Sequence, residues 1–106
     1  MATGRLGTTV PAATTLTTVY TVPSSNYSVF NVSFTNTNAT AVTIRLAIAS
    51  LATPVASEYI EYDTTIIAKG VFERTGIVAQ GGLQVVVYCS SAAVNVNVYG
   101  IETSTA

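Results

Sequence analysis

Ser28-Val-Phe-Asn-Val-Ser-Phe-Thr35 and Val42-Thr-Ile-Arg-Leu-Ala-Ile-Ala49 decide the fold of this chain. In the first stretch Phe30, Val32 and Phe34 share one face, while Asn31, Ser33 and Thr35 take the other. In the second, Val42, Ile44, Leu46 and Ile48 oppose Thr43, Arg45, Ala47 and Ala49. A period of two in hydrophobicity is the pattern of a strand with one buried face. Asn36-Thr-Asn-Ala-Thr40 between them is turn chemistry, so the two stretches are expected to pair as a hairpin.

The same reading extends outward. Leu83 to Ser90 is apolar on both faces, which suits a central strand covered on each side. Val94, Val96 and Val98 then alternate with Asn95, Asn97 and Tyr99, and the turn segments Gly81-Gly82 and Ser90-Ser-Ala-Ala93 bound these two strands. Shorter candidates fill the middle: Glu58–Asp63, Thr65–Ala68, Gly70–Arg74 and Ile77–Ala79. Near the start, Thr17–Val22 is closed by Pro23, and Leu6–Ala12 is a strand that Pro11 confines to an edge. Helical periodicity is nearly absent. The expectation is an all-β chain, a single antiparallel β-sandwich or jelly-roll-like domain of about eight short strands spanning 1–106. An extended N-terminal arm (1–9) and a loose C-terminal tail (102–106) are expected to flank it.

Composition narrows function by exclusion. Hydrophobic residues make up 49% of the chain, charged residues only 8%, and mean hydropathy is +0.50. There is no His and no Trp, which removes the side chain that most often carries acid–base chemistry near neutral pH. Net charge is −1, and Arg5, Arg45, Lys69 and Arg74 form no basic stripe, so neither nucleic acid nor an anionic membrane is expected as a partner. No apolar run approaches the roughly 20 residues that span a bilayer. Met1-Ala-Thr-Gly-Arg-Leu-Gly7 lacks the apolar segment of a secretory signal, so cytoplasmic synthesis is expected. Cys89 has no second cysteine to bond and reads as an inert core thiol. A low-charge surface rich in Thr and Val is sticky when exposed, which implies contact with copies of itself or a larger assembly.

The remaining candidates favour structure over chemistry. Glu61 and Asp63 project from one strand face beside Glu58, with Glu73 expected across a hairpin. Such a group can hold a hard cation, or serve glycoside hydrolysis if two carboxyls flank a sugar cleft. Alternation places Tyr59 and Tyr62 on opposite faces, which removes a sugar platform, and Lys69, Arg74 and Arg45 are ready ion-pair partners. The solvated, salt-bridged reading prevails over metal binding, and no catalytic, cofactor or metal residue is assigned. A Ser nucleophile would need a base, and Lys69 beside Gly70 reads as an exposed turn. Asn26, Asn31 and Asn38 match the glycosylation acceptor pattern, a match expected by chance in so Ser- and Thr-rich a chain. For protein–protein contact the candidates are Arg5 and Leu6 in the arm, together with Tyr27, Tyr59 and Tyr62, the more accessible tyrosines.

Tyr20-Thr-Val-Pro23, Val42-Thr-Ile-Arg-Leu-Ala-Ile48, Tyr59-Ile-Glu-Tyr-Asp63, Gly70-Val-Phe-Glu-Arg-Thr-Gly-Ile-Val78 and Val86-Val-Tyr88 occur in this order along nearly the whole chain. In these phrases the sequence resembles small virion structural proteins of tailed bacteriophages, especially cyanophages. The shared motifs are structural, and no functional residue carries over. The resemblance implies a non-enzymatic virion protein, made in the bacterial host cytoplasm. Its first reading is a capsid cement or decoration protein, a homotrimer that binds the major capsid protein lattice. A tail, baseplate or fibre component is the alternative within that class. From the residues, a carbohydrate-binding module using Tyr27, Tyr59 or Tyr62 is the second alternative.

Overall fold

The computed structural model describes residues 3–105. Eight strands account for most of them: β1 (Thr3–Thr9), β2 (Thr17–Thr21), β3 (Asn26–Asn36), β4 (Val42–Ala49), β5 (Tyr59–Ile66), β6 (Val71–Gln80), β7 (Gln84–Cys89) and β8 (Val94–Ser104). One turn of 3-10 helix, Ala56–Glu58, precedes β5. The alternation in β3 does what its pattern demands: Ser28, Phe30, Val32, Phe34 and Asn36 are buried, and the residues between them reach the surface or its margin.

The strands form two sheets of four, β1-β8-β3-β6 and β2-β7-β4-β5, with every pair antiparallel. The pairings β1·β8, β2·β7, β3·β6 and β4·β5 are nested, first with last and inward. All consecutive strands except β4 and β5 lie in different sheets. A long folded ribbon wound into two sheets in this way is the jelly-roll form of the β-sandwich. The expected hairpin of β3 with β4 is therefore corrected, because Asn36–Thr40 carries the chain from one sheet to the other.

The core lies between the sheets. Phe30, Val32, Phe34, Val94, Val96 and Val98 from one side meet Ile44, Leu46, Val85, Val87 and Cys89 from the other. Tyr20 stands edge-on to Phe30 with centroids 6.0 Å apart, and Phe72 tilts against Phe34 at 6.2 Å. On the far side of β7, Val86 is buried with Ala47 and Ala49 beneath Tyr59. That strand is covered on both faces, as its apolar run requires.

Bulges account for the strands that looked fragmented. In β5 the partners of Ile44 and Leu46 are Thr64 and Glu61, so one extra residue is accommodated near Asp63, whose φ is +52°. In β6 the partners of Phe30 and Val32 are Ile77 and Arg74, and Gly76 supplies the positive φ of +69° there. Each bulge interrupts the alternation without ending the strand, so four expected short strands are two long ones.

The two flanking segments are also corrected. Thr3–Thr9 is not a free arm but an edge strand on β8, and Leu6 packs against the core. Glu102–Ser104 is not loose but completes β8 against β3, and Thr105 donates its N–H to the Ser25 carbonyl at 2.9 Å. Both extend sheets that already present half of their hydrogen-bonding groups, which leaves fewer backbone groups unpaired. Met1, Ala2 and Ala106 lie outside the described residues.

One buried amide organises an end of the sandwich. Asn36 Nδ2 donates to the carbonyls of Thr40 at 3.0 Å, Ile66 at 3.2 Å and Ile67 at 3.0 Å. Its Oδ1 accepts the Asn38 N–H at 2.9 Å. The β3–β4 connection is thereby tied to the β5–β6 turn, and Lys69 Nζ adds a bond to the Thr37 carbonyl at 2.8 Å.

Candidate functional site

Among the described residues the sandwich opens no cleft, and no cluster of three or more metal-ligating side chains forms. The acidic residues that sequence grouped together are dispersed onto separate partners. Asp63 accepts from Arg45 Nε at 2.6 Å, and Arg74 reaches Glu61 at 2.6 Å, joining the β5 and β6 edges of the two sheets. Glu58 takes the N–H groups of Val55 at 2.9 Å and Ser50 at 3.1 Å. Glu73, expected across a hairpin from this group, lies in the other sheet and accepts the Tyr99 hydroxyl. The Arg45 guanidinium holds the Asp63 carboxyl below its ordinary range, and the two backbone donors do the same for Glu58. These groups are held as anions by their own fold.

Two other groups are shifted toward inertness. Burial pushes the Cys89 thiol up to about 11, which suppresses the reactive thiolate. Tyr20 is pushed up to about 12 by burial and by its hydroxyl's bond to Glu102 at 2.6 Å.

What the fold presents outward is the outer face of each sheet. The outer face of β2-β7-β4-β5 carries a stacked group centred on Arg45. Its guanidinium carbon lies 4.1 Å from the Tyr62 ring centroid and 4.5 Å from that of Tyr88, its cross-strand neighbour. Tyr59 meets Tyr62 edge-on at 5.1 Å. Both cation–π contacts draw the guanidinium onto the rings, and the Asp63 ion pair orients it there. The expectation that Tyr59 and Tyr62 point to opposite faces is corrected: the irregular register of β5 brings both to one side.

The outer face of β1-β8-β3-β6 carries an apolar row toward one end of its strands. Register aligns Val78, Val29, Ile101 and Thr3 in a row across all four strands. Val78 is 66% exposed, Val29 36% and Ile101 46%, with Tyr27 beside them at 39%. Three such aliphatic residues in register on neighbouring strands form a patch, unlike a lone exposed Leu.

The residues singled out from sequence thus divide between the two faces. Tyr59 and Tyr62 meet on one, while Tyr27 and Arg5 lie on the other. Leu6, half-buried, packs against the core. Sequence reasoning passed over Val29, Val78 and Ile101. A signal existed for two of them: Val29 and Ile101 occupy the outward parity of strands whose other outward residues are mostly polar. Arg45 and Tyr88 were visible as strand residues, but their pairing across β4 and β7 was not.

No family model matches the chain, and no curated protein or solved structure matches it.

Proposed function

We propose that this protein is a non-enzymatic structural component of a phage virion, a decoration protein that binds the major capsid protein lattice and stabilises the head. One observation carries the reading. A jelly roll with no cleft among the described residues holds its acidic groups in internal bonds and offers two sheet faces bearing Tyr, Arg and exposed aliphatic residues. Protein interfaces are enriched in Tyr and Arg and depleted of Lys and Glu. The jelly roll recurs in viral capsid proteins, an analogy of fold and not of site. Many weak contacts repeated on a lattice then give firm attachment through avidity. The Tyr59–Tyr62–Arg45–Tyr88 face is the side assigned to the lattice.

Immunogold electron microscopy of intact particles, with antibody against this chain, tests the proposal. Label spread over the head is expected. Label confined to the tail would make the protein a tail or fibre component, and absence of label would overturn the virion reading. The exposed Tyr62, 59% accessible, favours a second reading as a carbohydrate-binding module. That reading requires a signal on a glycan array that Tyr62→Ala abolishes.

A further inference from the structure

We infer that the outer face of β1-β8-β3-β6 is a self-association surface that pairs two copies of this chain about a two-fold axis parallel to the strands. The inference does not rest on the virion reading and uses the face opposite the one assigned to the lattice.

The argument begins with charge. By register, the only charged residues among those described on this face are Arg5 and Glu73. Arg74 is in register with Val32, and Glu102 with Ser28, so both belong to the inward parity. Arg5 lies on β1 and Glu73 on β6, the opposite edges of the sheet. Arg5 makes no ion pair among the described residues, whereas the Tyr99 hydroxyl, reaching from β8, fixes the Glu73 carboxylate on the face. One lone cation and one anion at opposite edges is an arrangement complementary to itself.

The two-fold axis satisfies it twice. Stacking two such faces about an axis between β8 and β3 lays β1 of each copy over β6 of the other. Arg5 is in register with Tyr99 and Asn31, and Glu73 with Ser33. The two are offset by two residues, about 7 Å along the strands, which a Glu and an Arg side chain can close. The same operation lays Val29 over Ile101 of the second copy and Val78 over its Thr3, so each residue of the apolar row gains a partner. Isologous pairing of this kind is the commonest oligomer symmetry.

The size of the face is sufficient. The strands of this face are 7, 11, 11 and 10 residues long, each residue covering roughly 3.3 Å along the strand and 4.8 Å across it. That gives about 600 Å² per copy and about 1,200 Å² for the pair, at the lower end of the usual range for a specific interface of about 1,200–2,000 Å².

Sedimentation equilibrium of the full chain, across concentration, is the test. A monomer–dimer equilibrium is expected. Ile101→Lys and Val78→Lys, both at exposed positions, are each expected to weaken it by about tenfold or more, with far-UV circular dichroism unchanged. Arg5→Glu and Glu73→Arg are each expected to weaken it, and the double exchange to restore it, a rescue that misfolding cannot produce. Tyr62→Ala, on the other face, leaves the dimer intact. A monomer at all concentrations would overturn the inference. So would a trimer, a dimer indifferent to Ile101→Lys, or a monomer that uses this face to bind purified capsids.

Discussion

Replacing Asn36 with Asp changes one atom of a fully buried side chain and should cost more than most core truncations. The amide nitrogen of Asn36 faces three carbonyl oxygens, those of Thr40, Ile66 and Ile67, at 3.0–3.2 Å. A carboxylate oxygen in its place donates nothing to them and adds a negative charge beside three negative dipole ends. Loss of the two amide hydrogens and the unsatisfied carbonyls left behind destabilise by roughly 2–3 kcal/mol. The buried anion adds at least about 1–2 kcal/mol, for a total of roughly 3–5 kcal/mol at pH 7. Asn36→Ala loses the same bonds without the charge and should cost only the first part. The sign of the pH dependence separates the two. Burial and the carbonyls raise the folded-state pKa of the introduced carboxyl above its unfolded value of about 3.9. Its protonated form is the one the fold tolerates, so the relative stability is fully present below about pH 4. It is lost as pH rises through the folded-state pKa, by up to about 1.4 kcal/mol per pH unit between the two. Urea unfolding of the parent and both variants between pH 4 and 7, followed by tyrosine fluorescence and circular dichroism, measures this. Equal deficits for Asn36→Asp and Asn36→Ala at every pH, or a deficit below about 1 kcal/mol at pH 7, would refute the reasoning.

Other expectations follow from single contacts. An Ala at Gly100 would place its Cβ 2.1 Å from the Val29 carbonyl oxygen and 2.6 Å from Phe30 Cα, so backbone must move at the centre of a sheet. Gly100→Ala should lower the urea midpoint by the equivalent of about 3 kcal/mol or more. Cys89 should stay unreactive toward a disulfide reagent in the native protein and yield one equivalent of thiol in denaturant. Tyr20, raised to about 12, should ionise last in an ultraviolet titration. Because its folded pKa lies above the unfolded value, its contribution is intact below about pH 10 and is lost as pH climbs toward 12. Ionisation of Tyr20 together with the exposed tyrosines would show that it is not held as the structure describes.

Much of the fold was legible because its strands are regular where they face the core. Phe30, Val32 and Phe34, like Val94, Val96 and Val98, are buried on the parity their spacing demands. What stayed hidden is what local pattern does not encode. Asn36–Thr40 has the same turn chemistry whether the next strand returns beside β3 or crosses to the other sheet, and here it crosses. The bulges of β5 and β6 shift parity by one, which reads as a strand ending and assigns Tyr62 to the wrong face. Arg5 and Tyr27 were named singly, but the apolar row beside them exists only through registry among β1, β8, β3 and β6. Registry is set by partners distant in sequence, so no window along the chain displays it.

The nested pairing of the strands has a kinetic meaning as well. Only β4 and β5 are sequence neighbours that pair, so only that closure is cheap in loop entropy. Each further pair encloses a longer loop, and β1 pairs with the last strand of the chain. In the other sheet β8 is the middle partner on which both β1 and β3 depend. During synthesis, then, β1 and β3 must wait for the 11 residues of β8 before that sheet can close. Closure of that sheet is therefore slow, as non-local β topologies are. A truncated product exposes the edges that β8 would have covered.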